Sequence, residues 1–161
     1  METSNGTTYF GGANGDGTVF RVTPSGMLTT LYSFCSQGSP GHCTDGAFPK
    51  AGLVQAANGD LYGTTSAGGA SNSGTVFRIT PAGALTIIYS FCSQSGCTDG
   101  GKPYAGLFQA ANGDLYGTTY GGGACYSSNG CGTVFKITPT GALTTLYSFC
   151  SQSPCMDGLN I

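Results

Sequence analysis

Apolar positions alternate along residues 85–91: Leu85, Ile87, Tyr89 and Phe91 fall on one side of an extended chain, Thr86, Ile88 and Ser90 on the other. A period of two predicts a β-strand, and since neither side is strongly polar, the strand belongs to a sheet covered on both faces. The pattern occurs three times. "GTVFRVTPSGMLTTLYSFCSQ" starts at Gly17, "GTVFRITPAGALTIIYSFCSQ" at Gly74 and "GTVFKITPTGALTTLYSFCSQ" at Gly132, a period of 57 and then 58 residues. Between these blocks "AGLVQAANGDLYGTT" at Ala51 returns at Ala105, with Phe108 in place of Val54 as the only change.

Each unit reads as four short strands. "GLVQAA" and "DLYGTT" meet through Asn58-Gly59, a dipeptide suited to the positive φ angles of a two-residue hairpin. "GTVFRIT" and "ALTIIYSF" meet through "TPAG", where Pro81 presets the turn and Gly83 can take the left-handed position that ends it. No stretch has helical periodicity. The expected fold is therefore all-β, an array of four-stranded antiparallel blades like those of a β-propeller. The array forms one repeat domain over residues 1–161, divided into a partial unit 1–46 and units 47–100 and 101–161. "NGTTYFGGANGDG" from Asn5 aligns with the later "YGTTSAGGASNSG", so the chain opens inside a unit and carries about eleven strands. Closed propellers usually need four to eight blades, so the end blades call for a cover: a second copy closing a ring, further blades of a longer parent, or heterologous stacking into a filament.

Composition narrows the function classes. Only 7% of residues are charged and the net charge is −2, which supplies no basic stripe for nucleic acid and no cationic block for a membrane surface. A surface built from small polar groups repels its like weakly, so self-association into homo-oligomers or filaments is expected. No window resembles a membrane span, and "METSNGTTYFGG" lacks the segments of a secretion signal, whereas eight cysteines call for an oxidising compartment. A piece of a longer exported protein, extracellular or on the cell surface, reconciles the two.

The blocks "DLYGTT", "GTVF" and "YSF", with the "DG" and "AGL" stretches that follow, resemble the GloVer tandem repeat of bacterial exported proteins over essentially the whole chain. The resemblance implies secreted or surface-attached arrays of propeller-like blades. It brings no catalytic residues.

The cysteines form sequence-local pairs: Cys35 with Cys43, Cys92 with Cys97, Cys150 with Cys155, each framing the loop after "YSF", and Cys125 with Cys131 inside an insertion. Zinc would need two loops to converge or His42 to join, and a redox centre would favour Cys-x-x-Cys beside a helix. Disulfide staples are the favoured reading, with no metal and no cofactor. Asp45, Asp99 and Asp157 precede glycine and Asp60 and Asp114 sit in the Asn-Gly turns; turn chemistry is favoured over calcium binding. Arg21, Arg78 and Lys136 share one repeat position and read as solvated or cross-strand partners.

Strictly repeated aromatics, such as Phe20, Phe77 and Phe135, read as interblade core. Tyr9, Phe48, Tyr104, Tyr120 and Tyr126 lie in or beside variable loops, where exposed rings could stack on a glycan. A single histidine and no unique cluster of acids or bases argue against catalysis. The expected function is a non-catalytic structural or self-assembling extracellular module; the alternative is a glycan- or ligand-binding propeller module, and the third an unrecognised propeller enzyme.

Overall fold

A computed structural model describes residues 3–39, 41–125, 130–152 and 155–157. The first sheet contains β1 (Ser4–Thr8), β2 (Thr18–Val22) and β3 (Leu28–Ser33). A two-residue hairpin, β4 (Gly38–Ser39) with β5 (His42–Cys43), follows in the first cysteine loop, an element that the alternation of the sequence does not reveal. The second sheet contains β6 (Val54–Gln55), β7 (Leu61–Thr65), β8 (Thr75–Ile79) and β9 (Leu85–Ser90). The third contains β10 (Phe108–Gln109), β11 (Leu115–Thr119), β12 (Thr133–Ile137) and β13 (Leu143–Ser148). All pairings within these sheets are antiparallel, and each sheet follows chain order. The result is an all-β, propeller-like array of blades, with no α-helix among the described residues.

Two expectations about local geometry are corrected. The Asn58-Gly59 turn is not a two-residue hairpin: the Gly59 N–H donates to Ala56 O and the Ala56 N–H to Asp60 O, and only the glycine has positive φ, at 87°. This is a three-residue turn of the type I plus glycine-bulge form. The Asn58 side chain favours it by accepting a hydrogen bond from the Asp60 N–H at 3.1 Å. The "TPAG" connection has the same form, with Gly83 at φ 89° as expected.

The second correction concerns β9. Its register against β8 shifts between Val76 and Phe77, so Phe77 faces Ile87 while Val76 faces Tyr89, and Ile88 is the extra residue. One extra residue inverts the alternation beyond it. Leu85 and Ile87 therefore pack toward the preceding blade, whereas Ile88, Tyr89 and Phe91 pack toward the following one. The same shift recurs in β2–β3 and β12–β13.

The bulge lets each blade fill two cores. Val19, Leu31, Tyr32 and Phe34 of the first blade meet Leu61, Phe77 and Ile79 of the second. The equivalent Val76, Ile88, Tyr89 and Phe91 of the second blade meet Leu115, Phe135 and Ile137 of the third. At the centre of each interface two phenylalanines cross edge to face, Phe34 with Phe77 and Phe91 with Phe135, both with centroids 5.2 Å apart. Glycine makes room for the ring: a Cβ on Gly63 would lie 2.6 Å from the Phe77 ring, and one on Gly117 equally close to Phe135.

Candidate functional site

Antiparallel order places the β1–β2, β7–β8 and β11–β12 loops at the same end of the blades as the connections that lead from one blade to the next. The described disulfides gather there. Cys35–Cys43 has Cα atoms 4.5 Å apart, Cys92–Cys97 4.1 Å, Cys125–Cys131 6.2 Å and Cys150–Cys155 4.5 Å, in the pairing read from the sequence. Two groups close enough to hold an ion, Asp16 with Cys35 and Cys43, and Asp157 with Cys150 and Cys155, each include both sulfurs of a disulfide. Those sulfurs are not thiolates, so the groups lack the donors that a zinc site requires.

Beneath each of the three cysteine loops that follow "YSF" lies a cluster of hydroxyls around an aspartate that the sequence reading missed. Asp99, fully buried, accepts hydrogen bonds at Oδ2 from the Tyr89 hydroxyl, the Ser93 N–H and the Ser93 hydroxyl, each at 2.8 Å. Asp45 does the same for Tyr32 and Ser36 at 2.8–2.9 Å, and Asp157 accepts from Tyr147 at 2.6 Å. The repeated "YSFCS" followed by "DG" was the available signal; turn chemistry accounts for the glycine and for the carboxylate's bonds to the Ser36 and Ser93 N–H groups, but not for its tyrosine and serine hydroxyl partners. Asp45 Oδ1 is buried and has no hydrogen-bond partner among the described residues. Its counterpart on Asp99 accepts from the Gln94 N–H at 3.4 Å, whereas the first cysteine loop, three residues longer, supplies no such bond to Asp45 among the described residues. Burial raises the pKa of Tyr32 and of Tyr89; hydrogen bonds from Ser36 and Ser93 lower it in part, and the carboxylate partners raise it further. For Tyr147 the bond to Asp157 is the main cause of the rise, and that bond lowers Asp157 in turn.

Four of the five loop aromatics meet in one patch. Tyr9 lies 5.3 Å from Phe48 and 4.3 Å from Phe10, and Tyr104 stacks on Tyr120 at 5.0 Å. Lys50 joins the two halves, its Nζ 3.6 Å from the Tyr104 centroid and 5.4 Å from that of Tyr9. Lys50 had no role in the sequence reading, although it occupies the repeat position of Tyr104. Tyr126 lies outside the described residues. The repeated cations face acids or amides across strands: Arg78 is 3.9 Å from Asp60, Lys136 is 3.6 Å from Asp114, and Arg21 donates to Asn5 at 3.3 Å.

A family model described as the Gloeobacter/Verrucomicrobia repeat matches residues 3–159. The chain belongs to this repeat family. No curated protein sequence matches it. Among solved structures, the X-ray structure of a protein assigned provisionally as a gluconolactonase is similar at 16% identity and a TM-score of 0.45. The match covers 85% of this chain and 44% of the other, so this chain spans under half of that protein's length. The Gloeobacter/Verrucomicrobia repeat is thus, in its complete copies here, a four-stranded blade, and the stapled loops after the first and second blades are held over a buried aspartate. Four disulfides suit a non-cytoplasmic setting. Among the described residues no helix is long and apolar enough to cross a membrane.

Proposed function

We propose that this chain is a non-catalytic structural module of the cell exterior whose blades join end to end with those of a second copy. One observation carries the reading: the two internal interfaces use the same residues, and the outer blades present the unmatched halves of a third. The rings of Phe34, Phe77, Phe91 and Phe135 are fully buried. Phe149, equivalent to Phe34 and Phe91, and Phe20, equivalent to Phe77 and Phe135, are only half-buried and lie in opposite end blades.

The surrounding residues follow suit. Leu31 and Ile88 carbonyls pack closely on Gly83 and Gly141 of the next blade, while Gly26 of the first blade has open space where they would sit. Leu146, the third member of the Leu31 and Ile88 series, is 50% exposed, and Leu28, the counterpart of Leu85 and Leu143, is 60% exposed. Burying each such leucine contributes roughly 1.5–3 kcal/mol. A heterologous contact of this kind joins the third blade of one copy to the first blade of another.

The non-catalytic part rests on how ionisable groups are used. Asp45, Asp99 and Asp157 hold loops, Asp60 and Asp114 face cations across strands, and His42 is exposed on a small hairpin. Sedimentation equilibrium over a wide concentration range tests the assembly: species larger than the monomer are expected to accumulate with concentration. A single monomeric species throughout would overturn the proposal.

A further inference from the structure

Between the first two blades, at the loop end, lies a cavity of about 580 Å³ whose walls include Asn14, Asp16, Phe48 and Asn72. Its polar groups are only partly used. The Asn14 amide nitrogen donates to Phe34 O at 2.9 Å, while Asn14 Oδ1 accepts no hydrogen bond among the described residues. The Gly68 N–H donates to Asn72 Oδ1 at 2.9 Å, while the Asn72 amide nitrogen donates to nothing among the described residues. Both amide orientations are fixed by backbone partners. The half-buried Asp16 carboxylate receives no hydrogen bond and no ion pair among the described residues, since only its backbone oxygen is engaged, by the Phe48 N–H at 2.8 Å. Phe48 forms one wall and touches the rings of Tyr9 and Phe10, with centroids 5.3 and 5.7 Å away.

We infer that this cavity binds a neutral, polyhydroxylated sugar unit. Each sugar hydroxyl both donates and accepts, so neighbouring hydroxyls can donate to Asp16 and Asn14 Oδ1 and accept from Asn72. The C–H face of the ring can rest on Phe48. Among the described residues no cation lines the cavity, and a carboxylate there without a partner among them disfavours anionic ligands. The volume lies within the range of about 300–1,000 Å³ usual for small-ligand sites.

The repeat itself singles out this place. Units that keep nearly every core and turn residue change at the cavity: Asp16 is matched by Ser73, Phe48 by Lys102, and the neighbouring cysteine loop is three residues longer. The backbone at Phe48 is unchanged, with φ 57° against 54° at Lys102, so the side chain alone differs. The inference concerns the loop end and does not depend on end-to-end association.

The test is NMR titration of the intact chain with neutral hexasaccharides of glucose, mannose, galactose, xylose and N-acetylglucosamine, and with calcium alone. At least one sugar should bind saturably and shift the amides of Asp16, Phe48 and Asn72. Asp16→Ala should weaken that binding about tenfold or more, the loss expected for a hydrogen bond to a charged group. Asp16→Asn preserves the shape and should weaken it less, and Tyr120→Ala, outside the cavity, should leave it unchanged. Absence of binding at millimolar sugar, shifts confined to Tyr104 and Tyr120, or saturable binding of calcium without sugar would each overturn the inference.

Discussion

The residue that does most for each blade connection is an aspartate. Asp99 satisfies a tyrosine hydroxyl, a backbone N–H and a serine hydroxyl with one buried oxygen, so Asp99→Ala leaves three donors without that acceptor. A loss of about 3 kcal/mol is expected on chemical denaturation, because unsatisfied buried groups cost about 1–3 kcal/mol and bonds to charge are the stronger ones. Asp114→Ala, which removes a half-exposed pairing with Lys136 and an exposed hydrogen bond from the Asn112 amide at 3.1 Å, should cost about 1 kcal/mol. The pH response follows from the same cluster. Tyr32 and Tyr89 have folded-state pKa values above the ordinary 10.0, so their contribution to stability is complete below pH 10 and is lost as pH rises through the raised values. Asp157 is held below 3.8, so its contribution is present above that pH and is lost as pH falls through the lowered value. Ultraviolet titration should therefore show Tyr32 and Tyr89 ionising late and together with alkaline unfolding; their ionisation at ordinary pH in a folded chain would contradict the cluster.

At the level of elements, the strands were legible because the repeat displays each one several times, and the disulfide pairing because each pair frames its own short loop. The faces of β9 were not legible. Alternation assigns Ile87 and Tyr89 to one side, but the bulge opposite Val76 and Phe77 sends them to different interfaces, and a bulge leaves no mark in the apolar pattern. The aromatic patch was half legible: Tyr9, Phe48, Tyr104 and Tyr120 were recognisable as loop aromatics, while the lysine joining them came from a position that reads as variable. Two measurements probe this level. Gly63→Ala forces a Cβ against the Phe77 ring and Leu53, and should cost roughly 1–3 kcal/mol by overpacking. Replacing Cys92 and Cys97 together by serine should cost about 2 kcal/mol in thermal or chemical denaturation, the amount expected for so short a closed loop. The blades should persist, since their cores contain no sulfur from this pair.

For the whole molecule, the governing fact is that one interface is written twice inside the chain and its two halves are displayed again at opposite ends. Leu28→Lys blocks the open face of the first blade, and Leu146→Lys blocks that of the third; both side chains are well exposed, so neither change disturbs an internal core. Each variant keeps one good half of the interface. Sedimentation of the two variants separately and mixed tests the end-to-end arrangement most directly. Each alone should remain monomeric, and the mixture should form a one-to-one complex in which Phe149 of the Leu28→Lys chain meets Phe20 of the Leu146→Lys chain. If either variant still self-associates, or the mixture stays monomeric while the unmodified chain assembles, the end faces are not the joining surfaces.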